Sequence, residues 1–253
     1  MKVTDYSKIA SVYDHNDFRV KEVGVDQDLE SFISNSSIPN LRVLDLACGT
    51  GIYLQRQTEH FGSDAIEWHA LDASKEMLEK AKQKVDAVEF VYGQAEDLPY
   101  DGESFDFIAN NYAFHHFTEK EQVLDEVVRV LKKDGRYKMH NTDFGTMENW
   151  WVYHYFPSAY EIDAERYWSK EKIYYALKER GLKVSLDVHQ KMGELRVRDY
   201  LHHVENKDIS VFTLIDEKAF EEGKQRMIDD VAKDPEKTIV NQFSKLNVVA
   251  EKR

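Results

Sequence analysis

The sequence predicts an α/β fold with a mostly parallel sheet, and three observations carry that prediction. Short apolar or β-branched runs recur at residues 41–47, 66–72, 88–93, 105–111 and 136–142. The stretches between several of them show helical spacing of apolar residues. The first run leads straight into a glycine-rich turn, Ala47-Cys48-Gly49-Thr50-Gly51. In such alternation right-handed crossovers cover the faces of the sheet with helices and gather the strand ends at one rim.

The first strand, Val43-Leu44-Asp45-Leu46, opens onto glycines that let backbone approach a ligand with no Cβ in the way. A dinucleotide fingerprint would place a third glycine at position 54, where this chain has Leu54. That substitution disfavours NAD and FAD. The second strand, Ile66 to Leu71, ends in Asp72, placed as the acid that binds both hydroxyls of a ribose. A ribose site without a pyrophosphate site suggests an adenosyl ligand. The next helix follows Ser74 as N-cap and sets Met77, Leu78, Ala81 and Val85 on one face. Before the fifth strand, Val123, Leu124, Val127, Val128 and Leu131 form another apolar helical face.

Beyond Thr142 the pattern changes. Residues 144–168 are rich in aromatics, among them Phe144, Trp150, Trp151, Tyr153, Tyr155, Phe156, Tyr160, Tyr167 and Trp168. A helix over Ser169–Arg180 follows, stopped by Gly181, then a strand over Lys183–Val188. A second insertion runs from Gly193 to about Lys237 and contains an acidic amphipathic helix, Glu217 to Lys233, before a last strand near Phe243–Ala250.

Composition bounds the function. The 253 residues, 42% of them hydrophobic, suffice for one substantial core, with no internal repeat or low-complexity tract. No apolar run approaches the roughly 18 residues of a membrane span, and Met1-Lys2-Val3-Thr4-Asp5 lacks the regions of a secretion signal. The expectation is a cytoplasmic protein with no membrane partner. The single Cys excludes an internal disulfide. The formal charge of -13 disfavours nucleic acid as partner, because counterion release needs a basic face.

Five motifs together resemble those of the class I S-adenosylmethionine-dependent methyltransferases, in order and spacing, from about residue 40 to 143. They are Val43–Gly51; Ala70-Leu71-Asp72-Ala73-Ser74; Gly93-Gln94-Ala95-Glu96-Asp97-Leu98-Pro99-Tyr100; Ser104-Phe105-Asp106-Phe107-Ile108; and Leu131-Lys132-Lys133-Asp134-Gly135-Arg136. The similarity is greatest to the small-molecule branch that includes the ubiquinone and menaquinone biosynthesis enzymes. Past residue 145 it reduces to general architecture.

The resemblance implies a Rossmann-like, seven-stranded sheet with helices on both faces, an antiparallel last strand and lid insertions over the substrate. It implies one domain over 1–253: a helical cap at 1–35, a cofactor core at 36–143, lids at 144–168 and 193–238, and the remaining core at 169–192 and 239–253. It implies S-adenosyl-L-methionine as cofactor and S-adenosyl-L-homocysteine as product. By matched positions, Asp45 lies near the methionine amino group, and the backbone of Ala47, Gly49 and Gly51 runs along the methionine and sugar. Asp72 takes the ribose, Ala73 beside it is a further cofactor-binding candidate, and Gln94, Ala95 and Glu96 border the adenine. The family often has Asp where Gln94 stands; Gln keeps a carbonyl acceptor on a longer arm. Residues Tyr6 to Asp14 resemble the pre-core helix, whose aromatics close over the methionine end. Tyr13 is the stronger site candidate there; Tyr6 and Tyr13, on one helical face, would equally seal a core.

After the fourth strand, Asn110-Asn111-Tyr112-Ala113-Phe114-His115-His116-Phe117 stands where the family keeps the residues nearest the transferring methyl. Asn111 and Tyr112 are candidates to pack against the cofactor, and Tyr112 is a candidate catalytic residue as well. His115 or His116 is a candidate base for a hydroxyl, since imidazole titrates near neutral pH; a helix-start or packing role is the alternative. Nucleic-acid and protein-amine methyltransferases often carry Asp/Asn-Pro-Pro-Tyr here, and both prolines are absent. Asn110, His140, Asn141 and Asp143 partly match a magnesium-binding set, but with Asn for a second acid they favour ordinary strand-end hydrogen bonding, so no metal is expected. Trp150, Trp151, Tyr155 and Tyr160 either clasp an apolar acceptor or fix the lid. Arg196 and Arg198 suit an acidic substrate or plain solvation; His202-His203 lacks metal spacing, and Cys48 belongs to the turn.

Methyl transfer from a sulfonium is an in-line displacement that needs alignment and water exclusion, with a base only for a protonated acceptor. The expected function is therefore methyl transfer to the O, N or C of a small molecule, in a monomer or homodimer. The alternatives are a protein or RNA methyltransferase, a non-catalytic adenosyl-binding protein and, third, a nicotinamide oxidoreductase.

Overall fold

The computed structural model describes residues 13–15 and 23–253. Tyr6 and most of the expected N-terminal cap fall outside those residues. The sheet is seven-stranded: β1 (Leu41–Leu46), β2 (Ile66–Asp72), β3 (Val88–Tyr92), β4 (Phe105–Asn111), β5 (Leu131–Thr142), β6 (Leu182–Arg196) and β7 (Thr238–Lys252). Their order is β3-β2-β1-β4-β5-β7-β6, mostly parallel with an antiparallel end and flanked by helices. β1 is parallel to both β2 and β4, which puts the first turn at the point where the strand order reverses.

The chain divides into two compact units. The core unit holds the described residues up to Asn141, with Lys170–Asp187 and Leu246–Arg253. β1 and β4 are almost wholly buried, as expected for parallel strands covered on both faces. Helix α1 (Gln27–Asn35) is capped by the Asp26 carboxylate, which accepts from the Asp28 and Leu29 amides. Helix α2 (Ile52–Phe61) follows the glycine turn, and α3 (Lys75–Lys84) starts where Ser74 Oγ accepts from the Met77 amide at 3.2 Å. Met77, Leu78 and Ala81 are buried on the face that the periodicity predicts. Helix α4 (Lys120–Val130) buries Val123, Leu124, Val127 and Val130. Trp68, Leu54, Val43 and Phe107 belong to one core cluster beneath the turn; each such side chain contributes about 1.5–3 kcal/mol by leaving water.

The second unit comprises Thr142–Ser169 and Val188–Lys245. It contains helices α5 (Trp151–Tyr155) and α6 (Pro157–Arg166), then, after α7 (Lys170–Glu179) of the core unit, α8 (Leu201–Glu205) and α9 (Glu217–Lys233). Trp151, Tyr155, Phe156, Phe212, Phe220 and Met227 pack into a hydrophobic cluster of its own. Asp163 and Arg166, both buried, pair at 3.3 Å, and the Tyr153 hydroxyl donates to Asp163 at 3.0 Å.

Three strands, β5, β6 and β7, depart from the expected bounds. β6 runs on to Arg196 because its neighbour β7 starts early, at Thr238; the added residues 189–194 are exposed and carry no apolar alternation. β5 begins at Leu131 instead of 136, with Phe105 opposite Leu131 and Phe107 opposite Arg136 across an irregularity that includes Asp134 at φ 61°.

Candidate functional site

The glycine turn is shaped by its backbone. Ala47, Gly49 and Gly51 all have positive φ, at 60°, 55° and 78°. The two glycines do different jobs. A Cβ on Gly51 would lie 2.9 Å from the Cβ of Ala81, so Gly51 lets α2 pack on α3. A Cβ on Gly49 would meet nothing within 4 Å among the described residues, which leave that stretch of backbone open, the cradle a ligand needs. Ala47 holds the same left-handed conformation without glycine's freedom, at a cost of about 1–3 kcal/mol of the kind stored at binding sites.

Asp72 stands opposite this turn. Its Oδ2 accepts from the Gly49 amide at 2.8 Å and its Oδ1 from the Ser74 amide at 2.9 Å. Burial raises the carboxyl above its ordinary pKa, against the backbone amides of Ser74, Gly49 and Ala73 that draw it back. A carboxylate accepts at about four positions, so Asp72 keeps acceptor capacity beyond these amides for a ribose hydroxyl.

Asp45 is buried and its Oδ2 has no hydrogen-bond partner among the described residues. Burial, followed by repulsion from Asp72, pushes its pKa up to about 8, with Lys138 pulling the other way. An orphaned buried carboxyl of this kind is equipped to receive a cationic group. Beneath it lies a network absent from the sequence reading. Lys138 Nζ and the Tyr53 hydroxyl both donate to Asp26 Oδ2 at 2.7 Å, and the Asp26 amide donates to Gln57 Oε1 at 2.9 Å. Burial alone would raise the Asp26 pKa; Lys138 and these donors reverse the sign and hold it low.

Around the turn the other candidates fall at neighbouring positions. The Gly93 amide donates to the Asp72 carbonyl at 3.1 Å, which brings the 94–96 segment beside the end of β2. Ala95 is buried, Gln94 is exposed, and the Glu96 carbonyl accepts from Gln122 at 2.9 Å. Tyr13 begins a short helical turn, Tyr13–His15, that Asp14 ties to the glycine turn: Thr50 Oγ1 donates to Asp14 at 2.6 Å, and Lys84 reaches both Asp14 at 2.6 Å and the Thr50 carbonyl at 2.7 Å. Nothing local in the sequence marks this clasp, whose members lie far apart along the chain.

At the end of β4, Asn110 donates to the Leu46 carbonyl at 2.8 Å, and Asn111 Nδ2 is buried without a partner. Tyr112 has φ 50°; its amide donates to the His140 carbonyl at 2.7 Å and its hydroxyl meets His140 Nε2 at 3.1 Å. His115 is buried, with Nδ1 3.0 Å from Asn141 Oδ1, and its ring lies 3.8 Å from that of His116. Thus Asn110, His140 and Asn141 are engaged with Leu46, Tyr112 and His115, and among the described residues no three His, Cys, Asp or Glu side chains converge as metal ligands.

In the second unit, Trp151 and Tyr155 are buried in the local cluster, with the Tyr155 hydroxyl donating to Asp230 at 2.9 Å; Tyr160 remains partly exposed. Arg196 pairs with Asp199 and Glu236, and Arg198 with Glu236. His203 faces Asp208 at 2.9 Å. Burial pushes the Cys48 thiol well up, away from any nucleophilic role.

Residues 43–135 match the family model described as a methyltransferase domain. The chain is 37% identical over 139 residues to the uncharacterized methyltransferase YcgJ of Bacillus subtilis, covering 53% of this chain and 52% of that protein. It is 41% identical over 98 residues to a demethylmenaquinone methyltransferase of Thermotoga maritima, covering 38% and 41%. The chain thus spans about half the length of the curated relatives it matches. The crystal structure of YcgJ superposes with a TM-score of 0.59 at 21% identity, covering 88% of this chain and 97% of that one. Phosphoethanolamine N-methyltransferase 2 of Haemonchus contortus, solved with phosphomonomethylethanolamine and S-adenosylhomocysteine, superposes with a TM-score of 0.57 at 15% identity, covering 93% and 52%.

Residues 43–135 thus resemble a methyltransferase domain, on a fold shared with solved methyltransferases. The open cradle at Gly49, the remaining acceptor capacity of Asp72 and the orphaned oxygen of Asp45 fit an adenosyl group with a cationic amino end.

Proposed function

We propose that this chain transfers the methyl group of S-adenosylmethionine to a small-molecule acceptor by in-line displacement under a lid formed by residues 144–168 and 193–238. The observation that carries the reading is the backbone cradle at Gly49, open to a ligand and hydrogen-bonded to the buried acid Asp72. When bound, the cofactor supplies an electrophilic methyl on a sulfonium. Asp45 holds the amino end, the backbone of Ala47, Gly49 and Gly51 follows the methionine and sugar, and Asp72, beside Ala73, fixes the ribose. Gln94, Ala95 and Glu96 border the adenine, while Tyr13, Asn111 and Tyr112 close the methionine end. His115 and His116 are the candidate bases nearest in sequence to Tyr112. The sequence relatives named for menaquinone and ubiquinone synthesis make apolar ring compounds the first acceptor class to test. The formal charge of -13 and the missing Pro-Pro-Tyr favour a small acceptor over nucleic acid or protein.

The test is methyl transfer from labelled S-adenosylmethionine to separated small-metabolite and macromolecular fractions. Label confined to small metabolites is the expected result. Label in RNA or protein alone would replace this reading with the macromolecular one, and cofactor binding without label in any fraction would favour a non-catalytic binding protein.

A further inference from the structure

Tyr112 is the one bulky aromatic among the described residues with left-handed backbone, at φ 50°. That conformation is strained for a residue with a Cβ and persists only where the surroundings over-determine it. Here His140 does so twice, accepting the Tyr112 amide on its carbonyl at 2.7 Å and meeting the Tyr112 hydroxyl with Nε2 at 3.1 Å. The two rings stand edge to face, 4.9 Å between centroids. Strain and hydrogen bonds together aim a phenol at an imidazole.

Register gives the pair its location. Leu46 lies beside Leu71, so the next residues, Ala47 and Asp72, are level; Asp45 lies beside Ala109, which makes Ala47 level with Asn111; and Asn111 lies beside His140. Asp72, Ala47, Asn111 and His140 therefore occupy one rung of the sheet at the rim where the parallel strands end. With strands about 4.8 Å apart, three spacings separate Asp72 from His140 by about 14 Å. The ribose acid and glycine turn take the β2 and β1 end of this rung, leaving the β4 and β5 end, with Tyr112 and His140, for the acceptor. His115 is buried, with Nδ1 engaged by Asn141, whereas His140 is half-buried.

We propose that Tyr112 and His140 are the proton-accepting pair of the reaction, and that the acceptor accordingly presents a phenolic or enolic hydroxyl. The inference rests on the methyl-transfer reading above. The acceptor's O–H proton passes to the Tyr112 oxygen as the Tyr112 proton passes to His140 Nε2. The acceptor oxygen forms its bond to the methyl carbon while the carbon–sulfur bond breaks, its electron pair staying on sulfur. One positive charge leaves the sulfonium and one appears on the imidazolium, so net charge is conserved in a site where a new uncompensated charge would be costly. A neutral amine attacks through its own lone pair and needs no base beforehand. A neutral hydroxyl is the weaker nucleophile, and it is the acceptor that such a pair serves.

The experiment compares the wild-type chain with Y112F, which keeps the ring, and H140Q. Nitrogen-15 spectra of histidine-labelled protein saturated with S-adenosylhomocysteine, with His140 assigned by its loss in H140Q, should show Nε2 as an unprotonated acceptor whose resonance moves in Y112F. A protonated Nε2 in the wild type would overturn the proposal, since the Tyr112 proton would have nowhere to go. Calorimetry with S-adenosylhomocysteine separates the two levels of inference: failure of the wild type to bind it defeats the methyl-transfer reading, whereas H140Q should bind within about threefold of wild type. Turnover is read with catechol and hydroquinone as hydroxyl probes and benzylamine as an amine probe. Hydroxyl methylation should fall 10²–10⁴-fold in both variants, the usual range for losing a general base. Full hydroxyl methylation by either variant, or methylation of benzylamine alone by the wild type, would overturn it; if no probe is methylated, the Nε2 protonation state decides.

Discussion

The core unit and the second unit both bury polar and aromatic groups, but they use them differently. At the rim of the core, buried groups keep unused capacity among the described residues: Asp45 Oδ2 and Asn111 Nδ2 are unpartnered, Asp72 is satisfied by backbone with acceptor positions to spare, and Gly49 is left open. In the second unit Trp151, Tyr155, Phe156, Phe212 and Phe220 pack on one another, and Asp163 pairs with Arg166. A cluster of aromatics in sequence therefore has the composition of a binding site whether its rings meet a ligand or one another. A backbone cradle beside an incompletely partnered acid is the more discriminating sign.

The contrast is open to direct attack, and the largest effect is expected in the second unit. Phe156→Ala removes a buried ring from that cluster and should lower stability by about 3–5 kcal/mol, read by denaturant unfolding, with S-adenosylhomocysteine affinity little changed under native conditions. A large loss of affinity at full stability would erase the distinction between the units. Asp72→Ala should do the reverse, weakening cofactor binding by about 1–3 kcal/mol; unchanged affinity in calorimetry would remove Asp72 from the site. Gly49→Ala puts a methyl group on left-handed backbone and into the open cradle, costing about 1–2 kcal/mol. Binding should suffer more than packing there, so a thermal shift without an affinity loss would count against the cradle.

A further test sharpens the comparison through pH. Asp45 has its pKa pushed up to about 8 by burial and by Asp72, from an ordinary 3.8. Because the folded state holds this proton more tightly than the unfolded chain, its contribution to stability is full below pH 4 and is lost as pH rises toward 8. The change amounts to at most about 1.4 kcal/mol per pH unit. Relative to wild type, D45N should therefore gain thermal stability as pH is raised from 5 to 8. Binding of the cationic amino end should also release a proton near pH 7, measured as a dependence of calorimetric heat on buffer ionisation enthalpy. A wild type with no such dependence would show Asp45 already ionised.

The local elements were largely legible in the sequence because each is written in consecutive residues. Val43 to Gly51 reads as strand and turn, Ser74 as a cap, and Glu217 to Lys233 as a helix with the bounds observed. The extension of β6 past Val188 was not legible, since His189 to Glu194 lack alternation and owe their conformation to the paired strand. Nor were the Asp26–Lys138–Tyr53 network, the Asp14 clasp and the Tyr112–His140 contact. Each joins residues distant in sequence, and left-handed backbone at a tyrosine has no propensity signal.

The most direct measurement is calorimetric titration of the purified chain with S-adenosylmethionine and S-adenosylhomocysteine, with NADH as control. Micromolar binding of the two adenosyl ligands alone is the predicted result. NADH binding in their absence would contradict the assignment of the glycine turn, Asp45 and Asp72 to an adenosyl cofactor.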